Sequence, residues 1–440
     1  MRFMHGNILI LSITNLLGNF SRALVFPYAS LYILALDGDA TKVGLINALA
    51  PLIGLFLFPV AGYIADYAGR VKIIALSNYL SAAVILLFVL APSWQWIAVA
   101  MLLRGVVTLQ FPARSAMIAD SLSPEERGKG LGAMNTIASV LSIFAPWIAG
   151  TIVQIYGPNW GIRGLYFAMM VLYLVSAIIN HLFLTETAPD SQTSKASNHL
   201  SQTTTNQTAT KQLVFADLVG AFWDAYRGIF GLLRQLPRSI TALTWVLILS
   251  FMTNGVISAF WVVYAIEEIG LQPAAWGFIL LVEALLRNLL FIPGGLIVDR
   301  LGRTSSLLAA LVLALLVMPL FILVHSYIAV LMIRIAIAVV HVLIIPASTA
   351  LIADSVPRSM RGRVMAAIGQ GGIMIGAAGG GTGGPAMGYL ITLPLMAASF
   401  LGGYLYTANP IYPWLFAFVA MILCVALTIL FIRDPQSAEV

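Results

Sequence analysis

Residues 73–91 read IIALSNYLSAAVILLFVLA, nineteen positions without a charge. A helix of about 20 such residues crosses the hydrocarbon core of a bilayer. Comparable runs recur along the chain, and none alternates apolar and polar as a barrel strand does. Lipid leaves helices and closed barrels as the only spanning folds, because backbone polar groups must pair internally. The composition agrees: 60% of residues are hydrophobic and 9% charged, against roughly 45–50% and about 25% in soluble domains. The expected class is an all-α membrane protein.

Twelve runs can be drawn. The first six cover 8–36, 43–65, 73–91, 94–119, 130–156 and 164–184; the second six cover 240–265, 274–298, 305–324, 327–353, 364–391 and 413–432. Residues 393–412 fall outside them and carry no role legible in the sequence. The first run is too long, and lacks the basic leader, for a cleavable signal. Between the sets, Thr185 to Lys211 is rich in Ser, Thr, Gln and Asn, a composition that cannot bury a core. After it, Phe215, Leu218, Phe222, Trp223, Tyr226 and Phe230 fall on one helical face, which suits a helix lying on the membrane surface near 213–236. The expected division is a six-helix bundle at 1–184, a cytoplasmic linker at 185–238 and a second bundle at 239–440. Most of the 23 lysines and arginines gather on one side of these spans, including Arg70, Arg127, Arg238, Arg303, Arg361 and Arg433, while Lys42 and Arg163 stand on the other. Both termini are therefore expected in the cytoplasm. The net charge of +6 is a topology signal, and no nucleic-acid partner follows from it. One cysteine, Cys424, allows no internal disulfide.

The sequence repeats itself. PARSAMIADS (112–121) and PASTALIADS (346–355) agree at seven of ten positions, and Arg127-Gly128 pairs with Arg361-Gly362 at the same offset. Upstream, GYIADYAGR (62–70) and GLIVDRLGR (295–303) share Gly-x3-Asp-x2-Gly-Arg. A constant offset near half the chain length marks a duplicated unit. In the first loop, Gly62 and Gly69 permit a tight turn. Asp66, near a helix C-terminus where the dipole disfavours a carboxylate, needs a base such as Arg70. Asp120, Asp299, Asp354, Arg303 and Arg361 extend this into a charge cluster at the cytoplasmic face of each half, expected to act as a gate.

These loops resemble the signature of the major facilitator superfamily of secondary transporters. Gly62, Asp66, Gly69, Arg70 and Lys72 match it, with Tyr67 departing, and Gly295, Asp299, Arg300, Gly302 and Arg303 match it again. The family's fourth-helix arginine corresponds to Arg104. The resemblance implies two pseudo-symmetric six-helix bundles around a central cavity lined by helices one, four, seven and ten, and motion by alternating access.

Ionisable residues inside spans are costly and mark candidate sites. Arg22 and Arg104 lie near mid-span, Arg114 in the inner half of the fourth span, and Arg334 in the tenth. Arg22, Arg104 and Arg334 fall on three of the four cavity helices, a positive bias that would attract an anion. Glu283, the one acid within a span, and Arg287 are four apart on one helix, a favourable ion-pair order; Glu283 is also a candidate proton carrier. The glycines at 372, 376, 380, 384 and 388 suggest close helix contact in the eleventh span. Phe20, Phe26, Tyr28, Trp147, Trp245 and Trp261 are candidate apolar walls. No Walker motif, metal-ligand cluster or nucleophile–base pattern is visible. The expected function is multidrug-type efflux of amphipathic compounds by a plasma-membrane transporter, not an enzyme. Transport of an organic or phosphorylated anion, or a non-transporting sensor on the same fold, are the alternatives. The expected partners are a small-molecule substrate, H+ or another coupling ion, and the bilayer, with a monomeric chain and no cofactor.

Overall fold

The computed structural model describes residues 5–53, 69–107, 110–123, 125–187, 238–355, 372–379 and 388–434, with Val364 and Ile368 besides. Residues 188–237 of the expected linker, with its surface helix, the loop carrying Gly62 and Asp66, and Arg361 lie outside the described residues. The first group of helices comprises α1 (Gly6–Val25), α2 (Ala29–Ala35), α3 (Ala40–Ile53), α4 (Arg70–Leu90), α5 (Trp94–Val106), α6 (Gln110–Ser121), α7 (Arg127–Val140) and α8 (Ala145–Phe183). The second comprises α9 (Arg238–Ile257), α10 (Trp261–Glu267), α11 (Pro273–Leu301), α12 (Arg303–Val317), α13 (Tyr327–Ser355), α14 (Tyr389–Ala408) and α15 (Tyr412–Phe431). Among the described residues, ten helical stretches are long and apolar enough to cross a membrane, and Ala40–Ile53 is a shorter apolar helix. One of the ten, Arg127–Phe183, contains Gly157 at φ 76°, ψ 166°, followed by Pro158, so α8 is two helices joined across a kink at that residue.

Helix ends follow local chemistry. Asp39 caps α3, its carboxylate accepting the Lys42 N–H at 2.9 Å, and Lys42 Nζ at 2.5 Å holds that carboxyl below the usual range. Pro273 and Pro413 stand in first turns, where a missing N–H costs nothing. Large apolar side chains face outward along the helices: Ile292, Trp160, Leu76 and Leu182 are each more than two-thirds exposed. Water would not tolerate that belt, whereas lipid does.

Helices of the first group pack on one another chiefly through α1, α4 and α8, and those of the second through α9, α11, α13, α14 and α15. The groups meet along α8 and α11 and where α3 meets α14. Arg70 and Arg127 stand at one end of the first group, where Val71 bonds to Glu186, and Arg238, Arg303 and Arg433 at one end of the second, where Thr304 bonds to Asp434 and Arg433 to Ser239. We refer to these as the basic end and to the other, with Lys42 and Arg163, as the far end.

One element departs from the sequence reading. A span was expected at 364–391, but residues 372–379 are not helical, and the helix of this region is α14. The segment 393–412, without a role in the sequence, supplies most of it. Glycine has the largest backbone entropy to lose, and 371–388 is crowded with glycines and interrupted by Pro385. The non-helical stretch is held by neighbours instead. Ile373 N–H donates to Ser348 Oγ (2.9 Å), Ala377 N–H to Asn254 Oδ1 (3.0 Å) and Gly379 N–H to the Ser258 carbonyl (3.0 Å). Non-helical backbone at membrane depth requires such protein partners.

Candidate functional site

Each half carries the same arrangement at the basic end. Gly69 (φ 84°) precedes α4 and Gly302 (φ 88°) precedes α12, both in the region that favours glycine. Arg70 opens α4 and pairs with Asp120 at the end of α6; Arg303 opens α12 and pairs with Asp354 at the end of α13. Each charge sits at the wrong end of its own helix dipole, and the pairing offsets both. Glu186 and Asp434 add a second acid to each site: Glu186 Oε2 accepts the Val71 N–H at 3.1 Å, and Asp434 Oδ1 accepts the Thr304 N–H and hydroxyl at 2.9 Å. Both carboxylates lie at a helix N-terminus, where orphan N–H groups need acceptors. Arg70 also reaches Thr187 Oγ1 at 3.1 Å, and Arg127 donates to the Ala119 carbonyl at 3.0 Å. These bonds stay within one half. Asp299 is exposed and makes no ion pair among the described residues. Glu186 and Asp434 are absent from the sequence reading; their only signal was that each is the first acid after the last span of its half.

At the far end the halves meet backbone to backbone. A Cβ on Gly44 of α3 would fall 2.6 Å from the Ser399 carbonyl of α14, and one on Gly403 of α14 would fall 2.7 Å from the Ala40 carbonyl of α3. Likewise a Cβ on Gly150 of α8 would clash with the Pro273 carbonyl of α11, and one on Gly277 of α11 with the Pro146 carbonyl of α8. Tyr28, fully buried, places its hydroxyl 3.0 Å from both the Pro146 and Pro273 carbonyls. Thr41 and Thr407 hydroxyls lie 2.9 Å apart, and Gln154 accepts the Ala274 N–H at 3.2 Å. Tyr28 and Trp261, expected on a cavity wall, are thus packing residues here, and Trp147 stacks edge-on against Phe278.

Between the two ends lie the membrane charges, and the structure redistributes their pairing. Glu283 does not pair with Arg287, four residues along α11; it pairs with Arg334 of α13, whose Nε reaches Oε2 at 2.8 Å and whose Nη2 reaches the same oxygen. Arg334 Nη1 donates to the Gly376 carbonyl at 2.9 Å, and its guanidinium carbon lies 4.7 Å from the Trp261 ring centroid and 5.8 Å from that of Trp276. Arg334 is 1% exposed and Glu283 4%, so solvent screens neither. The other carboxylate oxygen lies 3.8 Å from His341 Nδ1. Arg334 is therefore neutralised and adds no positive bias to a cavity. Arg287, half-buried, makes no ion pair or hydrogen bond among the described residues.

In the first half, Arg22 of α1 donates Nη1 to the Tyr173 hydroxyl at 3.2 Å and Nη2 to Asn19 Oδ1. Arg104 of α5 lies with its guanidinium carbon 4.4 Å from the Phe26 ring centroid, and Arg114 of α6 donates to the Leu11 carbonyl at 3.0 Å. The Tyr173 hydroxyl is within electrostatic reach of all three. No carboxylate among the described residues pairs with any of them. Among the described residues no cluster suited to a metal ion is found.

Comparison with known proteins gives the arrangement its place. Multi-drug resistance efflux pump PmrA of Streptococcus pneumoniae is 24% identical over 176 residues, covering 39% of this chain and 43% of that one. This chain spans less than half the length of the curated relatives it matches. A mutant of nucleoside transporter NupG superposes with a TM-score of 0.67 at 11% identity, over 96% of this chain and 98% of that one. A bacterial homolog of the human lysosomal transporter Spinster, in an inward-facing and unoccupied conformation, superposes at 0.63 and 14% identity, over 98% of each chain. At such identities the likeness is one of fold. The sequence model of the Major Facilitator Superfamily matches residues 11–380 and 243–440, and with the duplicated loops and charge pairs it leads to one assignment: this chain belongs to the major facilitator superfamily.

Proposed function

We propose that the protein is a secondary transporter that exports amphipathic compounds from the cell by alternating access. The observation that carries this is the division of labour between its ends. Close backbone crossings and Tyr28 hold the halves together at the far end, whereas the Arg70–Asp120 and Arg303–Asp354 pairs each stay within one half. Two bodies joined at one end and buttressed separately at the other can rock about the charges between them. The reading takes the basic end as cytoplasmic, with both termini there. It counts twelve spans by keeping the second as the sequence expectation of 43–65 and dividing α8 at Gly157. It treats 1–184 and 239–440 as the moving bodies. The matched loops, with Asp66, Asp299, Arg127 and Arg361, form the cytoplasmic gate. Efflux is supported by the names of sequence relatives such as PmrA.

The driving ion in this proposal is the proton, carried by Glu283, whose carboxylate faces both Arg334 and His341 inside the membrane. The test is flux in liposomes holding the purified protein, with an imposed pH gradient and fluorescent amphiphiles of either charge. Gradient-driven movement of at least one compound is expected, and Glu283→Gln should abolish the gradient dependence. Retained pH-driven accumulation in that variant would remove Glu283 from coupling. Movement of nothing across the panel would favour a sensor on the transporter fold.

A further inference from the structure

Three arginines in membrane-spanning helices of the first half, with no acid paired to them among the described residues, are an unbalanced arrangement. Arg22 comes from α1, and Arg104 and Arg114 from α5 and α6, which belong to one spanning stretch, Trp94–Ser121; Arg22 donates to the Tyr173 hydroxyl of α8 at 3.2 Å, and the other two charges are within electrostatic reach of it. The second half shows what balance looks like, because there Arg334 is matched by Glu283. A guanidinium offers five N–H donors. Among the described residues Arg22 uses Nη1 and Nη2, Arg114 uses Nη2, and Arg104 makes no hydrogen bond at all, resting on the face of Phe26. All three residues are half-buried rather than sealed in the core. Tyr173 completes the set. Its oxygen accepts from Arg22, which leaves its O–H available as a donor. Charged donors held apart from any acid are suited to one class of acceptor, an oxyanion. The partly exposed rings of Phe20 and Phe26 lie beside them on the first span.

We propose that Arg22, Arg104, Arg114 and Tyr173 bind the anionic group of an amphipathic organic anion, such as a carboxylate, sulfonate or phosphate ester on an apolar body. This rests on the transporter reading and names its substrate class. The proposed cluster lies wholly in the first half and includes Arg114, whereas Arg334 is paired with Glu283.

Binding can be read without flux. The purified full chain in detergent is melted with naphthalene-2-sulfonate, naphthalene-2-methanol, 2-naphthylmethylammonium or inorganic sulfate. Near saturation the sulfonate should raise the melting temperature by about 3 °C or more, with little effect from the other three. Arg22→Gln and Arg114→Gln should each weaken the sulfonate's apparent affinity by about tenfold or more, the loss of one charge-assisted hydrogen bond. Arg22→Lys should keep more of it than Arg22→Gln. Lys42→Gln, an equal loss of charge at the far end, should change nothing. If Arg22→Gln fails to fold, Arg104→Gln carries the same test, because that side chain makes no hydrogen bond among the described residues. Equal stabilisation by the ammonium or the alcohol, sulfate binding as tightly as the sulfonate, or unchanged affinity in the glutamine variants would overturn the proposal. Sulfonate binding without liposome flux would leave the site standing and remove transport. Flux of the cation with no sulfonate binding would do the reverse.

Discussion

A lone guanidinium at membrane depth costs about 2.5–3.5 kcal/mol on insertion scales, so the way each arginine is answered defines its role. Arg334 is answered fully, by Glu283, the Gly376 carbonyl and two tryptophan rings. Breaking such a buried pair leaves one charge stranded, at about 3–5 kcal/mol. Glu283→Ala should therefore destabilise the protein by that amount in chemical unfolding, and adding Arg334→Met should restore most of it. A double variant no more stable than the single one would show that the pair does not govern stability. Arg22 and Arg104 were legible in the sequence because a charge inside an apolar run is conspicuous. Their partners were not. Glu283 and Arg287 satisfy the local rule for an ion pair along a helix, but a partner 51 residues away prevailed because it brings a second hydrogen bond and burial from both sides.

Among the elements, the non-helical stretch 372–379 links the halves. It carries the Gly376 carbonyl bound by Arg334, and Gly379 approaches the backbone of Phe26, whose ring supports Arg104. Its amides depend on Asn254 and Ser348. Asn254→Ala should leave the Ala377 N–H without its acceptor and cost about 1–3 kcal/mol, read as a lower melting temperature in detergent; an unchanged value would mean that other groups hold the stretch. The helix starts at the basic end give a symmetric pair of expectations. Glu186→Ala and Asp434→Ala should each cost about 0.5–2 kcal/mol, as lost helix caps do, and similar losses would support equivalence of the two halves. Most helices were visible in the sequence as apolar runs between charged ends, Arg70–Leu90 among them. The exception is instructive. Between 364 and 391 hydropathy favours a span while backbone entropy opposes a helix, and hydropathy alone does not register the conflict.

For the molecule as a whole, the duplicated decapeptide foretold an arrangement that recurs in three dimensions: Arg70–Asp120 and Arg303–Asp354 are the same contact made twice. Sequence could not show where the halves touch, because those contacts are made by what glycines lack. Gly44, Gly150, Gly277 and Gly403 bring carbonyls of opposing helices within reach only because no Cβ intervenes. Gly277→Leu should force α8 and α11 apart and raise the accessibility of far-end residues to polar thiol reagents. The most direct measurement of rocking uses the Thr41–Thr407 contact, where the hydroxyls lie 2.9 Å apart and a disulfide is sterically accessible. Cys424, the sole native cysteine, is buried and does not compete. Thr41→Cys/Thr407→Cys, oxidised in liposomes, should lock the far end shut and stop flux, with recovery on reduction; undiminished flux through fully cross-linked protein would contradict alternating access.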